Sequence, residues 1–274
     1  MARALRSILN IFCEGEWVLA TRDGPSDAEI GWLFVVGGTQ TRVGPHRLYE
    51  RLATRLSDAG QAVLRFDRRG VGDSTGEDPD YFGSHADIAA AWRALRNEFP
   101  NLHQVFGFGL CDGASALALH GRGAELDGAV LANPWVVEPQ DDLPPAAAIR
   151  GHYRRRLLDP GAWRRLLTGG VDFGKLARGI THCRAREDDQ LVQRFAAGLP
   201  DAPQIVLAEG DGTAQAFAAA WRDLAANTRP AASILRIPTS SHSFADPPAF
   251  EALAGALLAY SAARASDSKS ASAR

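Results

Sequence analysis

Six short, nearly uninterrupted apolar runs alternate with helix-like segments, and this rhythm leaves one broad class of fold open to the chain. The runs are residues 32–36, 62–66, 104–108, 128–132, 204–208 and 233–237. Strands buried on both faces of a parallel sheet read as continuous apolar stretches of this length. Between them, residues 45–59 set Leu48, Leu52 and Leu56 at four-residue spacing, and residues 85–99 set Ile88, Ala91, Trp92 and Leu95 on one side. Residues 111–121, 215–226 and 249–262 complete the helical set. Two earlier segments, 8–13 and 17–21, read as an antiparallel hairpin at one edge. The expectation is an α/β fold with a mostly parallel eight-stranded sheet and helices on both faces.

The 274 residues suit one domain of this class. Its core is expected over 1–135 and 201–261, interrupted by a helical insert at 136–200 without a convincing strand. An insert of that length between strands commonly serves as a lid. It carries Arg150, Arg154, Arg155, Arg156, Arg164 and Arg165, which read either as a site for an acidic ligand or as a solvated helix face. The small, polar tail 262–274 is expected to be disordered. A net charge of −2 supplies no basic field for nucleic acid. No apolar stretch is long enough to span a membrane. The first residues lack the sustained apolar region and small-residue site of a secretory signal. Three scattered cysteines, Cys13, Cys111 and Cys183, form neither a disulfide framework nor a zinc site and point to a reducing, cytoplasmic setting. No metal or organic cofactor is called for.

The sharpest local signal is Gly109-Leu110-Cys111-Asp112-Gly113, placed after the apolar run QVFGF and before the helical run ASALALHG. A nucleophile between two glycines at a strand–turn–helix junction is held on a strained turn, where its side chain projects from the sheet edge at a helix N-terminus. The helix dipole favours an anion there, so a cysteine in that place is expected to be partly thiolate at neutral pH. The bland alternative is that Cys111 is a small core residue.

Elbows of this kind are served by an acid and a histidine that follow in that chain order. The run 204–208 leads into Glu209-Gly210-Asp211-Gly212, where Asp211 is the expected acid and Glu209 the alternative. The run 233–237 leads into a loop holding His242, the expected general base, which alone among seven histidines fits the order. An oxyanion hole is expected from the backbone N–H of Asp112 with that of Gly38 or Thr39, because the run 32–36 ends in Gly37-Gly38-Thr39-Gln40. The segment Asp67-Arg68-Arg69-Gly70-Val71-Gly72-Asp73-Ser74 reads as buttressing beneath that edge, with Arg69 paired to carboxylates.

FDRRGVGDSTG, GFGLCDG and SSHSF together resemble the α/β-hydrolase superfamily, from about Gly31 to Tyr260. A narrower likeness rests on GGTQTRVGPHR, RFDRRGVGDSTG, GLCDGASA, LANPW and GHYRRRLLDPGAWRRLLTG. These resemble the type 1 hydrolases associated with the exosortase A system, a bacterial group encoded beside exopolysaccharide genes and bearing a cysteine at the elbow. The resemblance implies the triad Cys111, Asp211 and His242, and places Gln40, Arg42 and His46 near the pocket mouth. A thiolate served by these partners is expected to hydrolyse an ester, thioester or lactone in a small-molecule or carbohydrate-linked acyl substrate. Acyl transfer to a sugar hydroxyl and a non-catalytic binding role are the alternatives.

Overall fold

The computed structural model describes residues 6–136, 188–225 and 228–272. In chain order the described elements begin with β1 (Ser7–Cys13), β2 (Glu16–Asp23), β3 (Ile30–Val35), a short 3-10 turn at Pro45–Arg47 and α1 (Leu48–Asp58). Then come β4 (Ala62–Phe66), the single turn α2 (Asp80–Gly83), α3 (His85–Glu98), β5 (Gln104–Leu110) and α4 (Asp112–His120). The last are β6 (Gly128–Ala132), α5 (Asp188–Gly198), β7 (Gln204–Ala208), α6 (Gly212–Asp223), β8 (Ser233–Ile237) and α7 (Pro247–Ser272).

One eight-stranded sheet runs in the order β1-β2-β4-β3-β5-β6-β7-β8. β1, β2 and β4 are joined antiparallel, and every pairing from β4 through β3 to β8 is parallel. This is the expected architecture, with the hairpin at one edge. The central strands β4 and β6 are buried along their whole length, which is why their sequences read as unbroken apolar runs. Side chains alternate between two cores. On one face Leu33, Leu64, Val105, Leu131 and Ile205 pack with Ile88 and Leu95 of α3, Leu117 of α4, Phe195 of α5 and Phe217 of α6. On the other, Trp32, Phe34, Phe106, Phe108 and Val130 pack with Leu48, Leu52 and Leu56 of α1 and Phe250, Leu253 and Leu257 of α7.

Two boundaries differ from expectation in ways that matter. β5 continues to Leu110, so the strand delivers its end directly to Cys111. α7 continues to Ser272, through most of the tail expected to be disordered. The docked first half of α7 already bears the nucleation cost, and alanine and serine then extend it at one hydrogen bond per residue. The arginine-rich part of the insert and Cys183 lie outside the described residues; its last portion, α5, is helical as expected. No described helix is long and apolar enough to cross a membrane.

Candidate active site

The Gly-x-Cys-x-Gly turn forms at the junction of β5 and α4. Cys111 precedes the helix with φ 60° and ψ −126°, a conformation that L side chains rarely adopt. The flanking glycines are there for space. A Cβ on Gly113 would lie 2.4 Å from the Val35 carbonyl oxygen, and one on Gly109 would lie 2.5 Å from the Gly113 carbonyl oxygen. Any side chain at either place pushes the elbow off β3 or breaks its closure onto α4. Cys111 is half-buried, so its sulfur is neither sealed in the core nor fully in water.

Tyr49 of α1 supports the elbow from below. Its buried hydroxyl donates to the Val35 carbonyl at 3.0 Å and accepts from the Leu110 N–H at 2.9 Å. Burial pushes its ionisation far up, so the hydroxyl stays neutral and keeps its proton for Val35.

Asp211 is the N-cap of α6, and its Oδ2 accepts from the Ala214 N–H at 2.9 Å. The same oxygen meets Nδ1 of His242 at 3.0 Å. The cap therefore fixes the carboxylate before the ring arrives. Asp211 raises the His242 pKa by hydrogen bonding, Cys111 adds a second hydrogen bond, and together they outweigh burial to bring it to about 10. Both partners of the ring, Asp211 and Cys111, favour its protonated form. The alternative acid, Glu209, is exposed, and its backbone carbonyl accepts from Gln215.

The loop holding His242 is pinned by a residue that sequence reasoning missed. Asn133, fully buried just after β6, donates from Nδ2 to the His242 carbonyl at 2.8 Å and accepts at Oδ1 from the Ala208 N–H at 2.8 Å. It ties the histidine loop to the strand that ends at the acid. Its signal was its place in LANPW, directly after an apolar run. Asn133→Ala strands a buried N–H and a buried C=O, each costing about 1–3 kcal/mol. The expected outcome is a loss of about 2–4 kcal/mol in urea denaturation, with slower turnover in the fraction that remains folded.

The expected oxyanion donors are only partly in place. The Gly38 N–H points at the elbow, but it donates to the Asp112 carboxylate, 2.6 Å from Oδ1 and 2.7 Å from Oδ2. The backbone N–H of Asp112 lies in the first turn of α4, outside the intrahelical ladder. Thr39 is exposed. From behind, the buried Arg68 donates to the Gly38 carbonyl at 2.7 Å, and Arg69 pairs with the buried Asp87 at 3.1 Å. The Asp-Arg-Arg-Gly segment is the buttress its sequence suggests.

Of the three residues expected at the pocket mouth, Gln40 and His46 are exposed. Arg42 is turned into the wall instead. Its guanidinium bonds to the buried Asp67 and, at 3.0 Å, to Thr21, and its backbone N–H donates to Asp67 at 2.5 Å. A buried carboxylate must be paired, and that need claims Arg42 for the scaffold. Among the described residues no group of His, Cys, Asp and Glu is arranged to hold a metal ion.

Comparison with known proteins fits this geometry. The family model Hydrolase_4, described as serine aminopeptidase, S33, matches residues 41–241. Curated proteins gave no sequence match. Among solved structures, Est1E from Butyrivibrio proteoclasticus, determined with ferulic acid bound, aligns with TM-score 0.60 at 16% identity, covering 94% of this chain and 99% of that one. XC6422 from Xanthomonas campestris, described as an α/β serine hydrolase without lid, aligns with TM-score 0.58 at 17% identity, covering 94% and 93%. A dienelactone hydrolase from Anabaena variabilis aligns with TM-score 0.59 at 15% identity, covering 93% and 95%. At these identities the likeness is one of fold, and the fold is that of the α/β hydrolases.

Proposed function

The chain belongs to the serine aminopeptidase, S33, family of α/β hydrolases, and from that premise we propose that it hydrolyses activated acyl compounds, namely esters, thioesters or lactones, with Cys111 as nucleophile. The family's name specifies serine, and this elbow carries cysteine. The observation that carries the reading is the strained turn at Cys111 with the His242–Asp211 pair in reach.

In this mechanism the Cys111 thiolate attacks the acyl carbon, a C–S bond forms, and the carbonyl electrons move onto oxygen. The oxyanion takes the N–H groups of Asp112 and Gly38, which requires the Asp112 carboxylate to turn away from Gly38. Preorganised donors of this kind contribute about 3 kcal/mol each to the transition state. The intermediate collapses, the leaving alkoxide or thiolate receives a proton from the His242 imidazolium, and a thioacyl-enzyme remains. The ring, now neutral, takes a proton from water. The hydroxide attacks the thioester carbonyl, the C–S bond breaks, and the acid leaves, restoring the Cys111 thiolate beside the His242 imidazolium.

Sulfur narrows the substrate class. A thiolate leaves a tetrahedral intermediate more readily than an unprotonated amine does, so a peptide is cleaved only if the nitrogen is protonated before collapse, whereas an activated ester or thioester carries no such requirement. Activated acyl groups are favoured over amides despite the family's name. The likeness to exosortase-associated hydrolases supports an acyl group borne by a bacterial carbohydrate as the setting.

The test is a panel of short-chain and aromatic activated esters beside a peptide anilide, with intact mass recorded after brief mixing. The expected result is turnover of esters over the anilide and a mass increase of one acyl group, located on the peptide containing Cys111. No turnover and no adduct across the panel overturns the reading.

A further inference from the structure

β1 closes one end of the sheet, and its outer side is chemically bare. The segment Ser7–Cys13 contains no charged residue. Edge strands are normally protected by charge, proline or a bulge. β8, at the opposite edge, carries Arg236. On the solvent face of the hairpin, Ile8 is 66% exposed, Phe12 61% and Trp17 53%, and the last two rings meet edge to face at 5.2 Å.

The ladder fixes which backbone groups are free. The hairpin pairs Cys13 with Glu16 across a two-residue turn with positive φ at Glu14 and Gly15. On β2, the Leu19 carbonyl accepts from Asp67, and the Trp17 carbonyl accepts from Thr75, so both residues turn away from β1. Their partners in register are Asn10 and Phe12. By the alternation of an antiparallel ladder, Ile8, Asn10 and Phe12 therefore aim N–H and C=O outward, and Leu9, Ile11 and Cys13 aim theirs at β2.

We propose that β1 is a dimerisation edge, on which a second copy of this chain pairs antiparallel about a two-fold axis through Asn10. That register pairs all three outward residues with one another. Asn10 faces Asn10, Ile8 faces Phe12 of the second copy, and the outward backbone groups of all three exchange both N–H···O bonds within each pair. At the two ends Arg6, which already pairs with Asp23 and Glu50, comes opposite Glu14, which already pairs with Arg69; their side chains stay 40% and 58% exposed, so the opposite charges can be shared across the seam. The apolar faces of the two hairpins become one continuous surface, and the sheet doubles. A strand-on-strand contact of this length is at the small end of stable interfaces, so the dimer forms and dissociates with concentration.

Light scattering across a dilution series should show the mass rising from monomer to dimer. Asn10→Lys sets two ammonium groups against each other across the axis at an exposed position. It should weaken the dimer about a hundredfold while ester turnover and thermal unfolding of the monomer are unchanged. Asn10→Cys should be linked quantitatively by a short bis-maleimide, because the paired Cα atoms lie about 5.5 Å apart. Ile8→Cys, displaced from the axis, and Arg236→Cys on β8 should not be. A monomer at every concentration overturns the proposal. So does a dimer that survives Asn10→Lys or is linked through Arg236→Cys.

Discussion

Cys111→Ala is expected to lower kcat/KM by about 10⁴-fold or more on any ester the protein turns over. In the proposed mechanism the thiolate is the one group whose bond to the acyl carbon cannot be supplied by its neighbours. Without it, the remaining acceleration comes from substrate binding and from whatever oxyanion donors are free. The half-buried position makes the change inexpensive for the fold: alanine removes one sulfur, and backbone bonds such as Cys111 N–H to the Ala132 carbonyl at 3.0 Å are kept. Thermal unfolding of the variant should match wild type, and the acyl adduct should vanish from intact-mass spectra. An adduct that persists on another residue would sink Cys111 as the nucleophile. Cys111→Ser keeps the turn and should retain slow turnover, because a hydroxyl needs more help from the ring.

Asp211→Asn is expected to cost about 10²–10⁴-fold in kcat with little change in stability. Asparagine caps a helix as well as aspartate does, so its side-chain oxygen can keep the Ala214 N–H. What disappears is the charge. Asp211 is the largest cause of the raised His242 pKa, so in the variant that pKa falls from about 10 towards the ordinary imidazole value. The paired imidazolium is then lost at a lower pH, and the alkylation rate of Cys111 by iodoacetamide should change its pH profile accordingly. Unchanged kcat and an unchanged profile would show that Asp211 is a helix cap and nothing more. The size of the drop is bounded by the sulfur, which depends less than a hydroxyl on a base to become a nucleophile.

The sheet was legible because its interior strands are buried on both faces. β4, β6 and β7 run over the residues their apolar runs mark; β8 does too, but it is a largely exposed edge strand, so its run marks the strand without marking burial on both faces. The meeting of His242 with Asp211 was legible because an elbow of this kind constrains the two turns that face it, and chain order supplies the rest. Other features depend on partners far away in sequence. Asn133 reaches a carbonyl 109 residues later, and Tyr49 reaches an N–H 61 residues later; neither leaves a local pattern. Arg42 looked available because Asp67, which captures it, is seen only when β4 ends beside its loop. The tail misled because its polar, alanine-rich composition suits a solvent-exposed helix as well as a disordered segment, and the docked half of α7 decides between them.

The carboxylate resting on the Gly38 amide also bears on how the protein could be trapped. Boronates and phosphonates, which imitate a tetrahedral adduct by bringing negative charge of their own, must evict a group of the same sign before they can settle. Uncharged electrophiles such as nitriles and chloromethyl ketones reach the sulfur without that contest. A search for inhibitors is therefore best begun among neutral warheads, and the inactivation rates of the two classes would measure how firmly Asp112 holds its seat.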